Sequence, residues 1–144
     1  MKNYYVLGTS DSSTKNAYNI LMKRLDEKKY PLYTKTPHLH RIQSNDAVVF
    51  YLAGKKDKAQ NFLGEAIISS VETSSELLID PDKERYVVEK YLILDNIQIF
   101  KAPVHIKSII TKLDFIINKS NYGVYLMGGV KKISENDYKL ITSK

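Results

Sequence analysis

Arg41-Ile42-Gln43-Ser44-Asn45-Asp46-Ala47-Val48-Val49-Phe50-Tyr51 is followed, one lysine-rich loop later, by Phe62-Leu63-Gly64-Glu65-Ala66-Ile67, and this pair decides the reading of the chain. The first stretch is a polar turn feeding a β-branched and aromatic strand; the second is a strand interrupted by one glycine. Joined by residues 54–61, they form a hairpin that reads as the wall of a small barrel. Asn45 suits a left-handed turn position. Gly64 marks a bulge or a close approach of two backbones.

Outward from this hairpin, residues 3–7 read as a short first strand and residues 8–13 as a polar turn. Residues 16–29 carry Ala17, Tyr18, Leu21, Met22 and Leu25 at helical spacing, with Ser12, Ser13 or Thr14 as N-cap candidates. Pro31 and Pro37 break residues 30–40 into an irregular segment crossing the surface. Strands are expected over 47–53 and 62–71, then a loop over 74–83 containing Pro81. Residues 85–100 read as a strand, a turn at Asp95-Asn96, and a second short strand, so the sheet is mainly antiparallel. Residues 106–113 have helical spacing. Ser134-Glu135-Asn136-Asp137 resembles a capping box and opens a last helix through Tyr138, Leu140 and Ile141.

With 144 residues, 43% of them hydrophobic and 26% charged, the chain has the size and balance of one globular domain spanning 1–144. The absence of cysteine excludes disulfides, thiolate catalysis and cysteine-ligated zinc. No apolar run approaches the ~20 residues that span a bilayer, and no basic and apolar leader opens the chain, so a soluble, cytoplasmic protein with no membrane partner is expected. The net charge of +6 and pI of about 9.3 favour polyanionic partners. The basic residues are mostly lysines, with Arg24, Arg41 and Arg85 the exceptions, and they are scattered; surface lysine also serves solubility alone.

No catalytic signature emerges. His38 and His40 share one face of an extended segment, but a zinc site wants three or four ligands and His105 is remote, so no metal is expected. Ser10-Asp11 with a histidine lacks a nucleophile elbow, and Gly128-Gly129 lacks the spaced glycines of a phosphate loop, so no cofactor is expected either. Tyrosine is in excess, with 11 against 4 phenylalanines and no tryptophan. Most such rings pack in cores. Tyr30 and Tyr33, however, fall in the proline-bounded segment, and Tyr122 and Tyr125 flank Gly123. Rings converging on a barrel mouth can stack on an extruded base, at ~1–3 kcal/mol per base.

The chain resembles the EVE domain, a member of the PUA-like group that also contains YTH and ASCH domains. The resemblance spans nearly the whole length. It rests on Asn3-Tyr4-Tyr5-Val6-Leu7 with its Thr9-Ser10 end, on Arg41-Ile42-Gln43-Ser44-Asn45-Asp46 in place of the family's basic-apolar-x-Pro-Gly-Asp turn, on Phe50-Tyr51, and on Phe62-Leu63-Gly64-Glu65-Ala66. It continues through Leu113-Asp114-Phe115-Ile116-Ile117-Asn118-Lys119, Tyr122, Gly128 and Glu135-Asn136-Asp137-Tyr138, which look like the stand-alone prokaryotic and archaeal branch. Where relatives place tryptophans, this chain has Tyr5, Tyr33 and Tyr122.

The resemblance implies an α+β fold: a PUA-like mixed, mainly antiparallel β-barrel flanked by helices. It implies non-catalytic recognition of a modified nucleobase in DNA or RNA, flipped into an aromatic pocket. Ser10, with Thr9 or Asp11, would bond the base edge; Tyr33 and Tyr122 would sandwich it, beside Thr36 and Tyr125; Lys35 and Arg41 would hold phosphates. Two alternatives stand beside this reading. One is an ASCH-like amidohydrolase acting on a modified nucleoside, needing Lys35, Thr36 and Glu65 together. The other is a protein-interaction adaptor using the same groove.

Overall fold

The computed structural model describes residues 2–12, 14–34, 36–55, 58–80, 83–126 and 129–143, and at 75–80, 83–86 and 124 the backbone alone. In chain order the elements are β1 (Tyr4–Thr9), α1 (Ala17–Glu27), β2 (Lys29–Tyr33), β3 (Ala47–Leu52), β4 (Asn61–Asp80), β5 (Lys83–His105), β6 (Val130–Ile133) and α2 (Glu135–Thr142). Short 3-10 turns occupy Ile106–Ser108, Ile110–Lys112 and Lys119–Leu126. The six strands make one sheet in the order β2-β5-β4-β3-β1-β6, in which β1 and β3 run parallel and every other pair antiparallel. This curled half-barrel with two helices is the α+β, PUA-like architecture.

The centre of the sheet explains the hydrophobic run quoted first. Both faces of β3 are covered, so all six of its residues are buried and the sequence Ala-Val-Val-Phe-Tyr-Leu shows no polar alternation. Side chains still alternate. Val48, Phe50 and Leu52 join a core with Tyr5, Leu7, α1 and β2 inside the curl. Ala47, Val49 and Tyr51 join a second core with Val6, the 3-10 turns and α2 outside it. No helix among the described residues is long and apolar enough to cross a membrane.

Several local expectations are corrected. The N-cap of α1 is Asn16, whose side chain accepts the Asn19 N–H at 2.8 Å, while Asp11 accepts the Ala17 N–H at 2.7 Å. Ser12 instead organises the preceding turn, bonding Thr14 and Lys15; Ser13 lies outside the described residues. Residues 30–33 are not irregular: Pro31 pairs with Tyr91 in β2. A proline is tolerated there because β2 is an edge strand, where a missing N–H leaves no partner in the ladder. The expected loop at 74–83 is not a loop over 74–80, because β4 continues to Asp80; Pro81 lies outside the described residues. The expected turn at Asp95-Asn96 is a bulge within one continuous strand, with Asn96 at φ 50° and the Asp95 side chain accepting its N–H at 2.9 Å.

Other local readings hold. Asn45 has φ 74°. Ser134 caps α2 by accepting the Asp137 N–H at 3.1 Å. Gly64 is a close approach, since a Cβ there would lie 2.6 Å from the Gln98 carbonyl oxygen on β5. The helical spacing of residues 106–113 is realised as two successive 3-10 turns.

Candidate functional site

The end of β1 is tied to β2 by side chains. The Tyr30 hydroxyl donates to the Gly8 carbonyl at 3.0 Å and lies 3.0 Å from Thr9 Oγ1. A phenol has one proton, which the carbonyl takes, so Thr9 is the donor in the second bond. Thr9 is buried beneath the rim, with its hydroxyl already engaged. Ser10, the next residue, is exposed. Asp11 abuts Gly54 at φ 101°, where a Cβ would collide with its carboxylate at 2.5 Å.

Tyr33, at the end of β2, is held at both ends. Its backbone N–H donates to Thr36 Oγ1 at 2.9 Å, and its hydroxyl accepts from Arg24 Nη2 at 2.8 Å. Arg24 is buried, and its guanidinium lies 4.8 Å from the centroid of the Tyr30 ring. Thr9, Tyr30, Arg24, Tyr33 and Thr36 therefore form one connected network. Sequence reasoning missed Arg24. The signal was there: Arg24 follows Ala17, Ile20 and Leu21 by seven, four and three positions, which puts it on the buried face of α1.

Tyr122 and Tyr125 belong to a different group, packed against the outer core. The Tyr122 hydroxyl donates to Gln60 Oε1, and the Tyr125 hydroxyl accepts the Asn118 N–H at 3.1 Å. Gln60, another residue the sequence did not single out, stands at φ 64° and donates its backbone N–H to the Leu52 carbonyl at the end of β3. Tyr51 lies beneath; burial, and then the neighbouring Tyr122, push its phenol well above the ordinary range. Beyond the 119–126 segment, the Gly129 carbonyl accepts the Gly8 N–H at 2.6 Å near the end of β1.

Other sequence-derived residues lie elsewhere. Tyr5 is buried in the inner core and supplies no cage wall, because it shares the inward face of β1 with Leu7. Arg41 is exposed beside Tyr5 and His38, about 13 Å along β1 from Thr9 at the ~3.3 Å rise of a strand. Lys35 and Gly128 fall outside the described residues. Glu65 accepts the Tyr138 hydroxyl at 3.3 Å beside the outer core, while Thr36 is tied to Tyr33 at the end of β2, so the amidohydrolase pair Thr36 and Glu65 does not converge. His38 packs on the Tyr5 ring at 5.6 Å, whereas His40 faces Lys90. Among the described residues, no group of three or more His, Asp or Glu is placed to hold a metal.

No family model matches the chain. A UPF0310 protein of Pyrococcus abyssi (strain GE5 / Orsay) is 34% identical over 110 residues, covering 73% of this chain and 77% of that protein. The chain belongs to the UPF0310 family. Its fold is that of the EVE and YTH domains of the PUA-like group. Human THYN1, solved with DNA containing 5-methylcytosine, superimposes on this UPF0310 chain with a TM-score of 0.57 at 10% identity, covering 99% of this chain and 96% of THYN1. The YTH domain of Zygosaccharomyces rouxii MRB1, solved with N6-methyladenosine RNA, gives a TM-score of 0.53 at 13% identity, covering 99% and 85%. At these identities the likeness establishes the shared fold alone.

Proposed function

We propose that this UPF0310 protein recognises a modified base in a DNA or RNA strand by taking it, flipped, into the rim at the ends of β1, β2 and β3, and performs no chemistry on it. The observation that carries the reading is the way Tyr33 is fixed: Thr36 holds its backbone, and its hydroxyl is held by Arg24, which lies over the Tyr30 ring whose own hydroxyl reaches the polar end of β1. A ring held this way loses little freedom on stacking, so more of the stacking free energy appears as affinity. Ser10 is exposed where it can meet a base edge, and Thr9 braces the floor through Tyr30. We assign Tyr122, oriented by Gln60 beside the end of β3, and its neighbour Tyr125 to the far side of this rim. Two members of the same fold solved with methylated nucleic acids support the ligand class.

The test is fluorescence anisotropy with methylated and unmodified oligonucleotides of one sequence. Tyr33→Ala and Tyr122→Ala each remove one stacking face worth ~1–3 kcal/mol, so each weakens binding of the modified strand by roughly five- to 150-fold. Both variants keep their weak affinity for unmodified strands. If neither variant changes the preference for the modified base, the assignment of the rim fails.

A further inference from the structure

A second feature of the molecule lies away from the rim, at the opposite end of β1. The Tyr5 backbone pairs with Lys132 and Val6 pairs with Lys131, which places two lysines, on alternate faces of the sheet, along the edge strand β6. Against the same Tyr5 ring packs His38, a non-glycine residue at φ 61° in the turn that also carries Arg41, whose N–H donates to the His38 carbonyl at 2.9 Å. Lys90, on β5, pins this turn by donating to the Leu39 carbonyl at 3.4 Å. Among the described residues, no Asp or Glu lies within ion-pair distance of Arg41, Lys90, Lys131 or Lys132. The nearby acid is Asp46, buried and occupied by the backbone N–H groups of Asn3 and Gln43.

We infer that Arg41, Lys131 and Lys132, gathered about His38, form a phosphodiester track that holds the nucleic-acid backbone outside the base-binding rim. Unpaired cations of one sign gathered on a strand edge and an adjoining turn repel one another in the free protein, and a polyanion laid across them relieves that repulsion. Cations on the track read charge and not sequence, so they supply affinity while the rim supplies selection. His38 sits within reach of all three cations: burial first, and then Arg41, Lys131 and Lys132, hold its pKa below the ordinary histidine value, while Tyr5 is a neutral neighbour. This track rests on the nucleic-acid reading given above.

The experiment measures binding of one short single strand, unmodified and methylated, across a salt series, to the full chain and to the double variant Lys131→Ala/Lys132→Ala. Each phosphate contact on a single strand contributes about 0.7 to the log–log salt slope, so the double variant flattens that slope by about 1.4. It weakens both strands by the same factor and leaves the methylated-to-unmodified ratio untouched. Lys131→Arg/Lys132→Arg restores the slope, and polyglutamate competes far less well than the strand. Tyr33→Ala does the opposite, changing the ratio and sparing the slope. An unchanged slope in the alanine variant overturns the track, as does self-association of that variant with unchanged affinity, because edge lysines would then serve only to keep strands apart. Equal competition by polyglutamate also overturns it. If wild-type protein binds both strands alike with a lysine-dependent slope, the track stands and the base reading fails.

Discussion

Tyr30→Phe removes one oxygen atom and tests how the rim is built. The hydroxyl closes the curl of the sheet by joining β2 to the end of β1, donating to the Gly8 carbonyl and accepting from Thr9 Oγ1, both at 3.0 Å. Each buried hydrogen bond contributes ~1 kcal/mol net, and leaving the Thr9 hydroxyl without a partner inside the core adds about another 1 kcal/mol, so the loss is ~2–3 kcal/mol. For a domain of this length ~1 kcal/mol moves Tm by about 3 °C, which puts the expected shift at ~6–9 °C. The phenylalanine ring still packs on Phe50, 6.1 Å away between centroids, and still lies under Arg24, so the substitution isolates the hydroxyl. Urea unfolding of Tyr30→Phe, Thr9→Val and the double variant measures the coupling directly. Thr9→Val alone costs ~1 kcal/mol, and in the Tyr30→Phe background it costs nothing further, because the bond it removes is already gone. A Tyr30→Phe loss below ~0.5 kcal/mol, or strictly additive losses, would refute this account of rim closure.

Three further outcomes are expected. Gly64→Ala forces β4 and β5 apart, since the new methyl would meet the Gln98 carbonyl at 2.6 Å, and lowers stability by ~2 kcal/mol or more in chemical unfolding; a neutral result would show that the strands separate easily. His38 binds its proton less readily folded than unfolded, so its contribution to stability is complete above pH 6.5 and is lost as pH falls through its folded pKa; His38→Gln flattens that acid limb, and NMR titration of the imidazole should place its midpoint below 6.5. Tyr5, Tyr51 and Tyr138 are pushed above 10.0, chiefly by burial, so their stabilising effect is complete below pH 10.0 and lost at higher pH; tyrosinate absorbance should show these three of the 11 tyrosines ionising only with unfolding, and one reversible step for all 11 would contradict their burial.

The elements that were legible share one property: their signals are local. The Ser134 cap, the left-handed Asn45 and the face of α1 follow from neighbours three or four residues apart, and the β3 hairpin from an apolar run ending in a short loop. The boundaries that were misread depend on partners far along the chain. Pro31 reads as a break until β5 is known to flank β2 on one side alone, and Asp95-Asn96 reads as a turn until β4 is seen to run unbroken beside it.

By itself the sequence determined the fold class, the mainly antiparallel sheet and the likeness to the EVE domain, because periodicity, turn chemistry and motif order are properties of the linear chain. Tertiary structure alone decided which tyrosines are sealed in the core and which stay partly exposed. Tyr5 and Tyr33 are the same residue type, yet one is packed with Leu7 and the other is held by Arg24 and Thr36. The same holds for charge: Arg41, Lys131 and Lys132 are about ninety positions apart in sequence and act on one imidazole only because β6 returns beside β1. Through-space interactions depend on distance in the folded molecule, and curling a sheet sets those distances independently of spacing along the chain.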